Sequence, residues 1–151
     1  MSNIILSILE ETHNRLWEMG INVSSQTSRA QRLTREWQDR LVSADPARCK
    51  AEFIAGSSSR YKIDLVDLKA RTAYELKVSK NNPHFEFYKD VFKVLYANKP
   101  EKILDKLVFC CPAESKSKLV ALGMFVSTLS KQIDLEVEIH YIKNSNGNKK
   151  F

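Results

Sequence analysis

Cysteine, histidine and long apolar runs are all scarce in this 151-residue chain, and each shortage closes off a class of function. The three cysteines, Cys49, Cys110 and Cys111, are odd in number, and two stand side by side in an apolar run that reads as a buried strand. That excludes a disulfide-stapled framework and predicts a reducing, intracellular compartment, the cytoplasm. His13, His84 and His140 are scattered, and no cysteine and histidine spacing matches a zinc site. No apolar stretch approaches membrane-spanning length, and the start of the chain lacks the basic lead-in of a signal peptide. A soluble, unprocessed protein with no membrane partner is expected. There is no internal repeat, and no segment matches a recognised base-reading motif.

What is present is enough for one core. A hydrophobic content of 43% in 151 residues predicts a single domain over residues 1–143, followed by a polar tail at 144–151. Lys and Arg number 24 against 18 Asp and Glu, a formal charge of +6. The surplus biases the partner toward polyanions, although an ordinary solvated surface is the commoner reason for such a charge.

Apolar residues at helical spacing predict a helix from Ile4 to Trp17, then a second after the polar stretch Ser24–Ser28, with Ala30, Leu33, Trp37 and Leu41 as its stripe. Its other faces carry Arg29, Arg32, Arg35 and Arg40, either a solvated surface or a phosphate-contacting one. Strands are predicted over 49–55, 61–68 and 72–78, forming an antiparallel meander. After the break Asn81-Asn82-Pro83 comes a third helix, whose face Phe85, Tyr88, Phe92, Leu95, Tyr96 is expected to pack into the core. A strand over 106–111, a helix over 115–133 and a strand over 135–142 complete the order ααβββαβαβ. The class is α/β, a mixed central sheet flanked by helices.

Within the meander, alternation sets Glu75 and Lys77 on one face of their strand. The preceding strand holds Asp64 and Asp67 at odd separation, so only one of them can join Glu75. If Lys69 and Ala70 form a two-residue link, Leu68 meets Arg71, Asp64 falls opposite Glu75 and Asp67 faces away. The link lacks an Asn-Gly or Asp-Gly signature, and a bulge would shift the register. Two carboxylates set opposite one another repel and call for a cation, and hard oxygen ligands suit Mg2+, with Mn2+ as substitute. An adjacent lysine could orient water and neutralise charge on phosphorus, as phosphodiester hydrolysis requires.

Asp64 followed by Glu75-Leu76-Lys77 resembles the PD-(D/E)XK nuclease superfamily of restriction-endonuclease-like enzymes, and the predicted element order resembles that family's core over most of the chain. Ile63 stands where the motif places proline. The resemblance implies Asp64 and Glu75 as metal ligands and Lys77 as the residue that positions the attacking water. It further implies a glutamate from the helix ahead of the meander, for which Glu36 is the candidate, with Glu10, Glu11 and Glu52 as rivals. Lys89, on the helix after the meander, could approach the phosphate. Arg32, Arg35, Lys80 and Asn81 are the remaining candidate DNA contacts.

The expected function is a magnesium-dependent DNA endonuclease, foremost a restriction-type enzyme, with a junction or repair nuclease next. Cutting both strands of a duplex implies a homodimer or higher oligomer. A non-catalytic nucleic-acid-binding module and a protein-interaction domain are the readings from other classes.

Overall fold

The computed structural model describes residues 2–18, 26–56, 60–78 and 82–143. Helix α1 (Ser2–His13) runs on into a π-helical turn at Asn14–Glu18, and α2 (Gln26–Ala44) follows. Leu33, Trp37 and Leu41, spaced one turn apart, are all buried on α2. They pack with Ile5, Leu9 and Leu16 onto one face of the sheet, against Leu65, Tyr74, Val108 and Cys110. The Trp37 indole N–H donates to the Ile5 carbonyl at 3.2 Å, so the ring is buried without stranding its donor.

Among the described residues the sheet has five strands in sequence order. The strands β1 (Cys49–Ile54), β2 (Lys62–Asp67) and β3 (Thr72–Leu76) form the antiparallel meander. Next, β4 (Lys106–Pro112) and β5 (Glu136–Ile142) join parallel to β3. Parallel neighbours require long crossovers, which α3 (Pro83–Ala97) supplies first. The second crossover holds α4 (Lys116–Leu119) and α5 (Gly123–Ile133), with 3-10 turns at Ala113–Ser115 and Val120–Leu122. The expected continuous helix over 115–133 is therefore broken. Its apolar positions Leu119, Leu122, Val126, Leu129 and Ile133 still all pack against the core, so the periodicity survives the break that it concealed. The result is an α/β fold, a mixed sheet flanked by helices. No described helix is long and apolar enough to cross a membrane.

The face assigned to α3 is reversed except at Leu95, which is half-buried and packs against the core. Phe85 and Phe92 are 70% and 71% exposed, and Tyr88 and Tyr96 are exposed as well. The helix rests on the sheet through Phe87, Val91, Val94 and Ala97, with Phe87 edge-on to Phe109 at 5.5 Å. Both stripes have helical period. The buried one consists mostly of short side chains, which let the helix sit close to the strands.

The meander register follows the two-residue link. Leu65 pairs with Tyr74 and Asp67 with Thr72, which carries Asp64 opposite Glu75. In place of a glycine turn, the Asp67 carboxylate accepts the backbone N–H groups of Lys69 and Ala70 at 3.1 and 3.0 Å. The same carboxylate, fully buried, takes a bidentate pair of bonds from Arg48 at 2.8 and 2.9 Å. Asp67 is thus committed to structure. Asp67→Ala is expected to lower Tm by several degrees, because it leaves the Arg48 guanidinium and two turn amides without partners. A thermal melt checks this, and an unchanged Tm would remove Asp67 from the turn's stability.

Candidate functional site

Asp64 and Glu75 lie on adjacent strands of the face covered by α3. The Asp64 amide N–H points at Glu75 Oε1, 3.4 Å away, and the Leu76 N–H donates to Asp64 Oδ2 at 2.8 Å. Glu75 is only 4% exposed. Burial pushes its carboxyl well above the usual range, and the charges of Asp64 and Asp90 add to that push while Lys93 opposes it. Burial also raises Asp64, against the bonds from Leu76 and Glu75.

Strand alternation inverts at this point. Ala51 pairs with Leu65 and Phe53 with Ile63, but the pair between them, Glu52 and Asp64, is missing from the ladder, and Glu52 adopts a left-handed φ of 48°. Beyond it Phe53 and Ile63 both pack on the α3 side, although Leu65 packs on the α1–α2 side. Asp64 therefore sits at an irregularity in the strand. Gln38 of α2 steadies it from behind, donating through Nε2 to the Asp64 carbonyl at 2.6 Å and toward Glu52 Oε1 at 3.3 Å.

Two groups that the sequence reading did not single out complete the cluster. Lys93 Nζ lies 2.8 Å from Glu75 Oε1 and 3.1 Å from Asp90 Oδ1, and it donates to the Lys62 carbonyl at 2.9 Å. Asp90 is 4% exposed, and burial lifts it to about 7, with Lys93 opposing and Asp64 assisting. Burial would lower Lys93, yet the carboxylates of Glu75 and Asp90 outweigh it and hold the ammonium charged. The available signal was Asp90 itself. It stands between Phe87, Val91 and Val94 on the buried stripe of α3, where an acid requires a reason.

The other candidates are dispersed. Lys77 follows the last residue of β3; its N–H bonds the Cys110 carbonyl at 2.8 Å and its Nζ lies 3.9 Å from Glu86 of α3. Glu36 turns toward the π-helical turn and pairs with Arg15 at 2.6 Å. Glu10 meets His140 at 3.1 Å and Glu11 meets Arg40 at 3.3 Å, so of the four glutamates only Glu52 borders Asp64. Arg32 and Arg35 are exposed on α2, in the helix layer opposite α3. Lys89 is exposed on α3 and pairs with Glu86 at 2.9 Å, and Lys80 and Asn81 lie outside the described residues.

Among the described residues no three His, Cys, Asp or Glu side chains are grouped as a ready metal cage. The donor set fits a hard cation nonetheless. Asp64 and Glu75 are paired acids that one lysine cannot neutralise together with Asp90, and all three are lifted above the usual carboxylate range. The sequence matches no family model, no curated protein and no solved structure.

Proposed function

We propose that this chain is a DNA endonuclease dependent on a divalent metal, hydrolysing phosphodiester bonds on a restriction-endonuclease-like core. The observation that carries the reading is the acid pair of half-buried Asp64 and buried Glu75, set opposite one another beside Lys93 at an interruption of the strand ladder. Two such acids and a fixed ammonium recur where phosphate chemistry is done, and they are costly to keep for structure alone.

Asp64 and Glu75 would hold Mg2+ or Mn2+. When bound, the cation supplies Lewis-acid activation of phosphate and water. Lys93 keeps its proton at Nζ and presents a positive charge where negative charge builds on phosphorus. Asp90 fixes that ammonium from the helix side at 3.1 Å. Lys77 stands at the rim of the same face as the water-positioning lysine of the sequence pattern, and a homodimer would bring one such site to each strand of a duplex. Site-specific duplex cutting and junction or repair cutting share this chemistry, and the surfaces around the acids divide them.

The test combines cleavage with melting. Plasmid and branched DNA should be cut in Mg2+ or Mn2+ and left intact in excess EDTA. Without metal, stability should fall as pH rises from about 5 to 8. Asp64, Glu75 and Asp90 all have folded-state pKa values above their unfolded ones, so their contribution is complete below the unfolded values and is lost as pH climbs through the folded ones, about 7 for Asp90. Mg2+ should raise Tm more at pH 8 than at pH 5, because it binds the ionised pair. Equal Tm with and without Mg2+ and Mn2+ at pH 8, together with intact DNA, would end this reading.

A further inference from the structure

Beside the acids, the exposed face of α3 forms the wall of a cleft. Tyr61, Lys89, Phe92, Lys93 and Tyr96 line a cavity of about 380 Å³. Lys93 belongs to both places, since its ammonium bonds Glu75 and Asp90 while its side chain lines the cleft. The cleft therefore adjoins the acids.

Its aromatic wall is firmly built. Tyr61 and Tyr96 meet edge to face with centroids 6.0 Å apart. Behind them Gly56 holds a left-handed φ of 69°, and a Cβ there would collide with the edge of the Tyr96 ring. The chain thus gives up a side chain to seat that tyrosine. Phe92, one turn back along α3, is 71% exposed, and a second edge-to-face pair, Tyr88 with Phe125 at 5.8 Å, continues the aromatic surface.

Aromatic rings set among lysines next to buried acids suit a particular occupant. Protein interfaces enrich aromatics but deplete lysine at their centres, whereas a nucleic-acid strand needs both a ring for each base face and a cation for each phosphate. We propose that the cleft of Tyr61, Lys89, Phe92 and Tyr96 receives an unpaired base of a DNA strand, so that the preferred substrate carries single-stranded character at the cut, as a flap, gap or frayed end does. This rests on the nuclease reading and names its substrate class. Bases stack on Phe92 and Tyr96, Lys89 takes a flanking phosphate, and the backbone passes Lys93 toward Asp64 and Glu75. A continuous duplex keeps its bases stacked inside and offers none to the rings.

The experiment measures anisotropy of a labelled single strand of about ten nucleotides, and of a blunt duplex of the same sequence, in EDTA. Wild type should bind the single strand more tightly. Phe92→Ala should weaken single-strand binding about 5- to 100-fold and leave duplex binding unchanged, and Tyr61→Ala should act in the same direction. Phe92 is exposed, so the fold should survive its truncation. Single-strand binding unaffected by both variants, or equal losses on strand and duplex, overturns the proposal. So does a dimer, seen by sedimentation, that Phe92→Ala converts to monomer, because the face would then belong to a second copy. Cleavage in Mg2+ separates the two readings. If Phe92→Ala cuts flapped and continuous duplex at wild-type rates, the cleft assignment fails and the nuclease stands. If wild type cuts nothing while Phe92→Ala still loses the single strand, the nuclease fails and the cleft stands as a strand-binding site.

Discussion

Glu75→Gln is expected to reduce metal-dependent cleavage by about a thousandfold or more while raising the Tm of the metal-free protein at pH 8. The two effects have opposite signs for one reason. Glu75 is 4% exposed, and its charged form is disfavoured by burial first and by Asp64 and Asp90 next. Glutamine keeps the shape and removes that penalty, and Lys93 retains Asp90 at 3.1 Å and the Lys62 carbonyl at 2.9 Å. The gain in Tm should shrink as pH is lowered, because the raised carboxyl of the wild type then sheds its charge by taking up a proton. Activity should vanish because an amide is a poor ligand for magnesium in place of a carboxylate. Asp64→Asn should match it in cleavage. Plasmid cleavage and pH-dependent melting of the same preparations, with circular dichroism as the folding control, give the measurement. Unchanged cleavage in both variants would exclude these acids from catalysis, and a lower Tm for Glu75→Gln at pH 8 would show that the Lys93 pair outweighs the repulsion.

Lys93→Met should destabilise the protein by about 3–5 kcal/mol at pH 8, the cost of leaving buried partners without their cation. For a chain of this size that is a fall in Tm on the order of 10 °C. Methionine preserves most of the stem's packing, so the loss isolates the charge. What is stranded is Glu75 and Asp90, whose side chains are 5% and 6% exposed. Both can escape by taking a proton, so lowering the pH to 5 should recover most of the loss. Mg2+ should recover part of it at pH 8. A Tm deficit that is the same at both pH values would mean that the lysine acts through its stem.

The register of the acids was legible because it depends on counting. Once Lys69 and Ala70 are a two-residue link, Asp64 meets Glu75 whatever chemistry closes the turn. The closure itself was not legible, since Asp67 supplies through its side chain what an Asn-Gly turn supplies through its backbone. Lys93 and Asp90 were hidden by α3. That helix has apolar residues on both faces, and periodicity cannot say which one meets the sheet. The larger rings suggested the core, and choosing them put Asp90 on the wrong side. The better indicator was a single acid embedded in a stripe of valines and phenylalanine. Glu36 illustrates a different limit, because its partner Arg15 lies 21 residues earlier, on a π-helical turn that no local pattern announced.

β1 is a border of the sheet, and among the described residues no strand lies along one side of its backbone. A straight six-residue border would invite another polypeptide to pair along it and seed ordered aggregation. Glu52, at φ 48°, bends the row in its middle, and it and Lys50 are exposed there as opposite charges. No incoming chain can hydrogen-bond continuously past that bend. The deformation that lifts Asp64 out of the ladder thus also hinders copies of the protein from pairing along the β1 border.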